Sequence, residues 1–164
     1  MGKWTTRLAA GLSVLCAAAF IALAALGGLL FWDRVETRGA QQARTELAPL
    51  AAEQIPKVFG YDYQTVERSL TEAYTMLAPE FRQEFRDRAT KDIIPQARER
   101  QVVSQAHVVG VGVLAAQRDS AQVMVYLNRT VTEKNGEPIY DGSRLRVDYT
   151  KVDGNWMIDY ITPI

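Results

Sequence analysis

Cysteine and histidine are almost missing from this 164-residue chain, which holds one of each, Cys16 and His107. A disulfide scaffold needs cysteines in pairs, and a structural zinc site needs four nitrogen or sulfur ligands, so both are excluded. Neither sign of charge is in excess: 19 Lys and Arg face 19 Asp and Glu. A general nucleic-acid binder neutralises phosphates with surplus basic residues, and no surplus exists. Also lacking are a P-loop, GxGxxG, GxSxG and HExxH, together with like-charge runs, internal repeats and low-complexity linkers. The residues give an enzyme no positive support, and no cofactor and no metal is expected.

What is present is concentrated at one end. From Leu8 to Trp32, 25 residues pass without a charged side chain. As a helix they would extend roughly 37 Å, against about 30 Å of bilayer hydrocarbon. Trp32 and Trp4 suit the two interfaces. Ala22-Leu23-Ala24 offers a small-x-small cleavage pattern, but cleavage there would leave a greasy mature end, and the block exceeds the usual apolar core of a signal peptide. Cys16 follows Val14-Leu15 rather than the small residue of a lipobox, and in mid-membrane it acts as a small hydrophobe, out of reach of His107. Small residues at Ala18, Ala22, Ala25 and Gly28 fit either a generic alanine-rich span or close approach of a partner helix. Lys3 and Arg7 precede the block and Arg34, Arg38 and Arg44 follow it, so basic-residue counting decides little. The short tail and span together resemble a signal anchor. The reading is a cytoplasmic tail over 1–7, a single transmembrane helix over 8–32, a polar stalk or helix start over 33–46, and a periplasmic-side domain over 47–164 in the plasma membrane.

Without Lys3 and Arg7, the segment 33–164 has 17 basic and 19 acidic residues, a net of −2. Its first half, 47–100, has helical periodicity. Leu47, Leu50, Ala51, Ile55, Val58 and Phe59 recur every three or four residues, with Pro49 and Pro56 predicting a kinked or broken helix that stops near Gly60. Thr65 is placed to cap a second helix striped by Val66, Leu70, Ala73, Tyr74 and Leu77. Pro79 opens a third, with Phe81, Phe85 and Ala89 on its inner edge. From 101 to 164 the period becomes two. A first strand runs Val102 to Ala116, with Val103, Val109, Val111 and Val113 on one face and Gly110 and Gly112 hinting at a bend. A second holds Val123, Val125, Leu127 and Val131 inward. A third alternates Leu145, Val147 and Tyr149 with Arg144, Arg146 and Asp148, and Asp153-Gly154 turns it into Trp156, Ile158 and Tyr160. Helices followed by antiparallel strands predict an α+β fold, helices packed on a curved four-stranded sheet that forms a cone with an apolar mouth.

Few residues are candidates for chemistry. His107, with Asp148 or Asp159 across the sheet, would be the general base if one existed, although nothing in the spacing demands it. Tyr61 and Tyr63, flanking Asp62 between two helices, and Tyr74 read either as the rim of an apolar pocket touching a lipid or partner, or as aromatic packing with Asp62 satisfying N–H groups. Asn128-Arg129-Thr130 fits a glycosylation pattern too short to carry weight.

The ordered pieces VFGYDYQTVERSL, APEFRQEF, NRTVT and SRLRVDYTKVDGNWMIDYITPI, behind an N-terminal anchor, resemble the Mce-associated membrane proteins of actinobacteria. The Tyr61–Tyr63 junction, the strand with Asn128 and Thr130, and the Val152–Trp156 hairpin carry the likeness over about residues 40–164. Pro49 and Pro56 depart from it, where a smoother first helix belongs. The resemblance implies a nuclear-transport-factor-like (SnoaL-like) cone and an accessory, non-enzymatic role beside the subunits of a mammalian-cell-entry (Mce) lipid importer, and it supplies no catalytic residues. Two other classes stay open: an inner-membrane scaffold of a type IV secretion or conjugation apparatus, whose layout is similar, and a ketosteroid-isomerase-like enzyme, which would need a carboxylate or His inside the cavity beside a tyrosine.

Overall fold

The computed structural model describes the backbone of residues 3–164 and the side chains of 20, 21, 23, 24, 26–28 and 34–164. The expected span over 8–32 therefore lies mostly outside the described residues. Among the described residues, no helix is long and apolar enough to cross a membrane. The chain divides into two units, Met1–Arg38 and Gly39–Ile164. The second begins within the segment read as a stalk, because Ala43 already belongs to the core.

The order of elements is α1 (Lys3–Phe59), β1 (Tyr61–Asp62), α2 (Val66–Tyr74), α3 (Pro79–Arg88), a π-helical turn (Ala89–Ile93), α4 (Ile94–Arg100), β2 (Val103–Ala116), β3 (Ser120–Thr132), β4 (Ile139–Val152) and β5 (Asn155–Pro163). All strands pair antiparallel in the order β1-β2-β3-β4-β5. The fold is α+β, as expected, but the sheet has five strands rather than four. The additional strand is the Tyr61-Asp62 pair, which bonds to Ser104 and Val103. Two residues are too short for a period-two signal, so the sequence pattern concealed it.

The helix predicted to be kinked or broken at its prolines is assigned unbroken through Pro49 and Pro56 to Phe59. Each proline deletes one backbone donor and crowds the preceding turn. Burial offsets this: Leu47, Ala51, Ile55 and Val58 recur on one face and are all buried against the sheet. The helix stops at Gly60, whose N–H donates to the Pro56 carbonyl at 2.8 Å. A Cβ at Gly60 would sit 2.7 Å from that same oxygen, so only glycine fits the close approach. A third proline has a visible effect. Pro95 can donate nothing to Lys91 and its ring would strike that carbonyl, and the chain widens into the π-helical turn just before it, with Ile94 N–H reaching Ala89.

Helix α2 has the predicted stripe at Val66, Leu70 and Ala73, all buried, but it ends at Tyr74; Leu77, expected on the same stripe, is buried beyond the helix in a bridge to Ile158. Thr65 stands at its N-cap position without a side-chain cap bond. Asp62 does the local work instead, its Oδ1 accepting the Gln64 N–H at 2.8 Å while its carbonyl accepts from Thr65 at 2.9 Å. Pro79 opens α3, with Phe81, Phe85 and Ala89 buried as predicted.

Two strand phases differ from the sequence reading, for one reason. In β2 the pairing with β3 skips at Val109 and again at Leu114. A bulge adds a residue and reverses which face the following side chains take. Val109 is consequently 58% exposed, and Ser104, Ala106 and Val108, not Val103 and Val109, share the inner face with Val111 and Val113. In β5 the register slips between Asp148 and Tyr149 of its partner. Trp156 and Ile158 are buried as predicted, whereas Tyr160 is exposed and Ile161 packs inward in its place. The β4–β5 connection has both central residues at positive φ, Asp153 at 50° and Gly154 at 83°, the geometry of a type I′ turn that matches strand twist.

Candidate functional site

The concave face of the sheet is where a cone of this kind would hold a ligand, and here it is occupied by α1. Leu47, Ala51, Ile55 and Val58 form one cluster with Val123, Val125, Leu127, Leu145, Val147 and Ile158. Polar atoms that reach this layer are paired. The Tyr149 hydroxyl donates to Gln54 Oε1 at 3.2 Å, the Trp156 indole N–H to Glu46 Oε2 at 3.2 Å, and the Ser104 hydroxyl to the Phe59 carbonyl at 2.8 Å. Burial pushes the Tyr149 hydroxyl far above the ordinary tyrosine range. Hydrogen bonds from Gln42 and Trp156 hold the Glu46 carboxyl below the usual carboxylate value. The first two contacts tie helix to sheet along a surface groove of about 550 Å³, lined by Glu46, Leu50, Gln54, Met76 and Trp156.

The candidates named from sequence do not converge on a catalytic group. His107 is exposed on the outer face of β2, opposite Asn128. Asp148 lies opposite Gln122, six residues further along β3, a separation of about 20 Å at strand rise. The pairing of His107 with Asp148 imagined from sequence is therefore absent. Asp148 instead faces Arg146, its Oδ2 3.6 Å from Arg146 Nε, while Asp148 Oδ1 and Arg146 Nε are buried without a hydrogen-bond partner among the described residues. Asp148 also lines a surface groove of about 490 Å³ with Asp159 and Gln122; the sequence reading named both carboxylates, but as partners of His107 and not of Arg146.

The three tyrosines occupy two places. Tyr61 lies on β1 beside Arg129 and lines a groove of about 230 Å³ with Asp92, Ile93 and Arg100, smaller than the roughly 300 Å³ at which ligand pockets usually begin. Burial raises its hydroxyl pKa, with Arg129 opposing. The charges lining that groove are partly spent: Arg129 binds Asp141 at 3.0 Å and Arg100 binds Glu133 at 3.0 Å. Tyr63 accepts the Gln64 side-chain amide at 3.1 Å. Tyr74 packs edge-on against Phe85 at 6.0 Å with the Arg86 guanidinium 5.2 Å from its ring centre. Burial raises the Tyr74 hydroxyl as well, against Arg86. Tyr61 and Tyr74 share no groove among those described, and each is engaged with its own neighbours.

The domain therefore offers surfaces. No family model matches the chain. It is similar to the outer membrane protein Rv1973 of Mycobacterium tuberculosis, with 28% identity over 144 residues, 88% of this chain and 90% of that protein. The uncharacterized protein Rv1362c of the same organism is 31% identical over 109 residues, 65% of this chain, and the chain spans about half of that protein's length (49%). Among solved structures, an IcmL-like type IV secretion system protein of Legionella pneumophila matches with a TM-score of 0.63 at 12% identity, over 74% of this chain and 93% of that one. The periplasmic domain of DotI gives 0.62 at 12% identity, over 73% and 94%. The VirB8 protein of Agrobacterium tumefaciens gives 0.54 at 15%, over 68% and 85%. Its fold is similar to theirs. At such identities the likeness speaks of fold alone, an α+β domain with a curled antiparallel sheet.

Proposed function

We propose that the chain is a single-pass, membrane-tethered accessory subunit of a cell-envelope complex, non-enzymatic, with residues 39–164 on the outer side of the plasma membrane. The observation that carries this reading is the filled concave face: α1 occupies the space a ligand or substrate would take, leaving the domain its outer surfaces for contact with other proteins. The uncharged stretch Leu8–Trp32 supports the tether, as do the exposed apolar side chains Phe20, Ile21, Leu23 and Leu26, which suit lipid better than water. A relative named an outer membrane protein fits an envelope location. The order of motifs from Tyr61 to the Val152–Trp156 hairpin favours an Mce-type lipid importer as the complex, with Tyr61, Tyr63 and Tyr74 as contact residues for its subunits or lipid.

A second reading, a scaffold of a type IV secretion or conjugation apparatus, is favoured by the likeness in fold to the IcmL-like protein, DotI and VirB8. Affinity purification of the full-length protein from its native membrane, with mass spectrometry of what accompanies it, separates the two. Co-purification of Mce subunits with their permease and ATPase is the expected result. Recovery of conjugation components would replace the first reading with the second, and recovery of neither would remove both.

A further inference from the structure

The outer edge of β5 is covered at one residue. The Ile158 N–H donates to the Met76 carbonyl at 2.9 Å, and the Ala78 N–H donates to the Ile158 carbonyl at 2.8 Å, so the segment 76–78 runs beside β5 as a short parallel bridge. Along an antiparallel pair every second residue turns its N–H and C=O away from the partner strand. Trp156 lies two residues before Ile158 in an unbulged stretch and turns its own groups to the same side. Among the described residues, no strand reaches it there. Upstream of Met76 the chain curls into α2, which ends at Tyr74 with Thr75 as its C-cap. The space left beside Trp156 is the groove of about 550 Å³ between α1 and the β4–β5 turn. Free strand groups of this kind invite another strand.

The side chains around the groove define what fits it. Leu50, Met76 and Met157 give it half-buried apolar walls, and thioether side chains re-pack readily around an incoming partner. Glu46 is the one charged residue that lines it. The carboxylate accepts the Gln42 side-chain amide at 2.8 Å and the Trp156 indole N–H at 3.2 Å, bonds that hold it in place and ionised. Among the described residues it forms no ion pair. The nearby cation, Lys151, is held over the Trp156 ring, 5.0 Å from its centre. A fixed negative charge without a counter-ion, set beside apolar walls, is complementary to a Lys or Arg side chain with apolar neighbours. The same charge repels the phosphate of a phospholipid. Backbone groups at Trp156 call for an extended chain, and Glu46 calls for a basic one.

We propose that this groove docks an extended segment of a partner protein, which bonds β5 at Trp156 and sets a Lys or Arg side chain against Glu46 between Leu50, Met76 and Met157. The proposal rests on the accessory-subunit reading and names the surface through which that subunit engages its complex. The test is photocrosslinking in the native membrane. The crosslinker p-benzoylphenylalanine replaces Asn155, an exposed residue lining the groove, in the full-length protein, and the captured peptide is identified by mass spectrometry. A partner segment holding a Lys or Arg beside apolar residues is expected. Glu46→Gln keeps an acceptor for the Trp156 indole and removes the charge, and it should lower the crosslink yield by about tenfold while the domain stays folded by circular dichroism. Glu46→Lys should abolish the crosslink, and exchanging the partner's basic residue for Glu should restore it in that variant. A captured segment with no basic residue, a lipid adduct, a second copy of this chain, or a yield indifferent to the Glu46 changes would overturn the inference. So would a complex that co-purifies with the protein yet gives no crosslink at position 155. In each of those cases the co-purified complex keeps the accessory-subunit reading standing. Recovery of no complex at all would remove that reading and the inference with it.

Discussion

Single residues show where the domain is tightly specified. Among the described residues Ser104 is the one polar residue that is wholly buried, and its hydroxyl serves a carbonyl at the end of α1 that has no helical partner. Ser104→Ala should leave that carbonyl dry and unpaired, costing about 1–3 kcal/mol in urea unfolding, more than the same change at an exposed serine. Gly60→Ala should cost a similar amount, about 1–3 kcal/mol, since the added methyl must push back the Pro56 carbonyl. Tyr149 makes a pH prediction. Its hydroxyl titrates higher in the folded protein than in the unfolded chain, so folding favours the neutral form. Stability from this group is complete below the free-tyrosine value of about 10 and falls as pH rises above it. Tyr149→Phe should flatten the alkaline arm of a stability–pH curve while losing about 0.5–1.5 kcal/mol at neutral pH with the Gln54 bond. None of these roles is visible in the sequence, because each depends on a partner 45 or 95 positions away or on one backbone contact.

Elements show which rules won locally. The apolar stripes of α2 and α3, the Pro79 start and the Asp153-Gly154 turn were all legible, since each is a signal contained in a few neighbouring residues. Strand phases were legible within a stretch free of bulges and not across one. Val109 and Tyr160 were assigned to the wrong face because the alternation continues unbroken in the sequence, while the register, set by the neighbouring strand, slips. Helix α1 is the opposite case. Local chemistry argued for a break at Pro49, and burial of Leu47, Ala51 and Ile55 overruled it. Two thermal measurements follow. Pro49→Ala, at an exposed position, should raise stability by about 1 kcal/mol or more by restoring a donor and relieving the preceding turn. Leu47→Ala, fully buried on the same helix, should lower it by about 2–5 kcal/mol. Equal and small effects from both would mean that this face of α1 does not hold the domain together.

On the scale of the whole molecule, the question is which surfaces meet what. The candidate tyrosines were picked as a pocket rim, and the fold distributes them between a small groove beside α4 and the α2–α3 contact. His107 was set against carboxylates that the register holds far along the sheet. A membrane-tethered subunit should stay with the membrane through an alkaline carbonate wash, and a protease added outside intact spheroplasts should digest residues 39–164 while sparing the N-terminal tail. Release by carbonate, or protection of the domain, would contradict the tether or its orientation.

From residues alone came the charge balance, the long uncharged block and the order of helices before strands, because composition and periodicity are properties of neighbouring positions. The tertiary structure decided the rest: that the concave face is filled by α1, that Tyr61-Asp62 is a strand, and that two bulged strands turn Val109 and Tyr160 outward. Each of these is a relation between segments far apart in the chain. Strand pairing and core packing create such relations, and no local pattern encodes them.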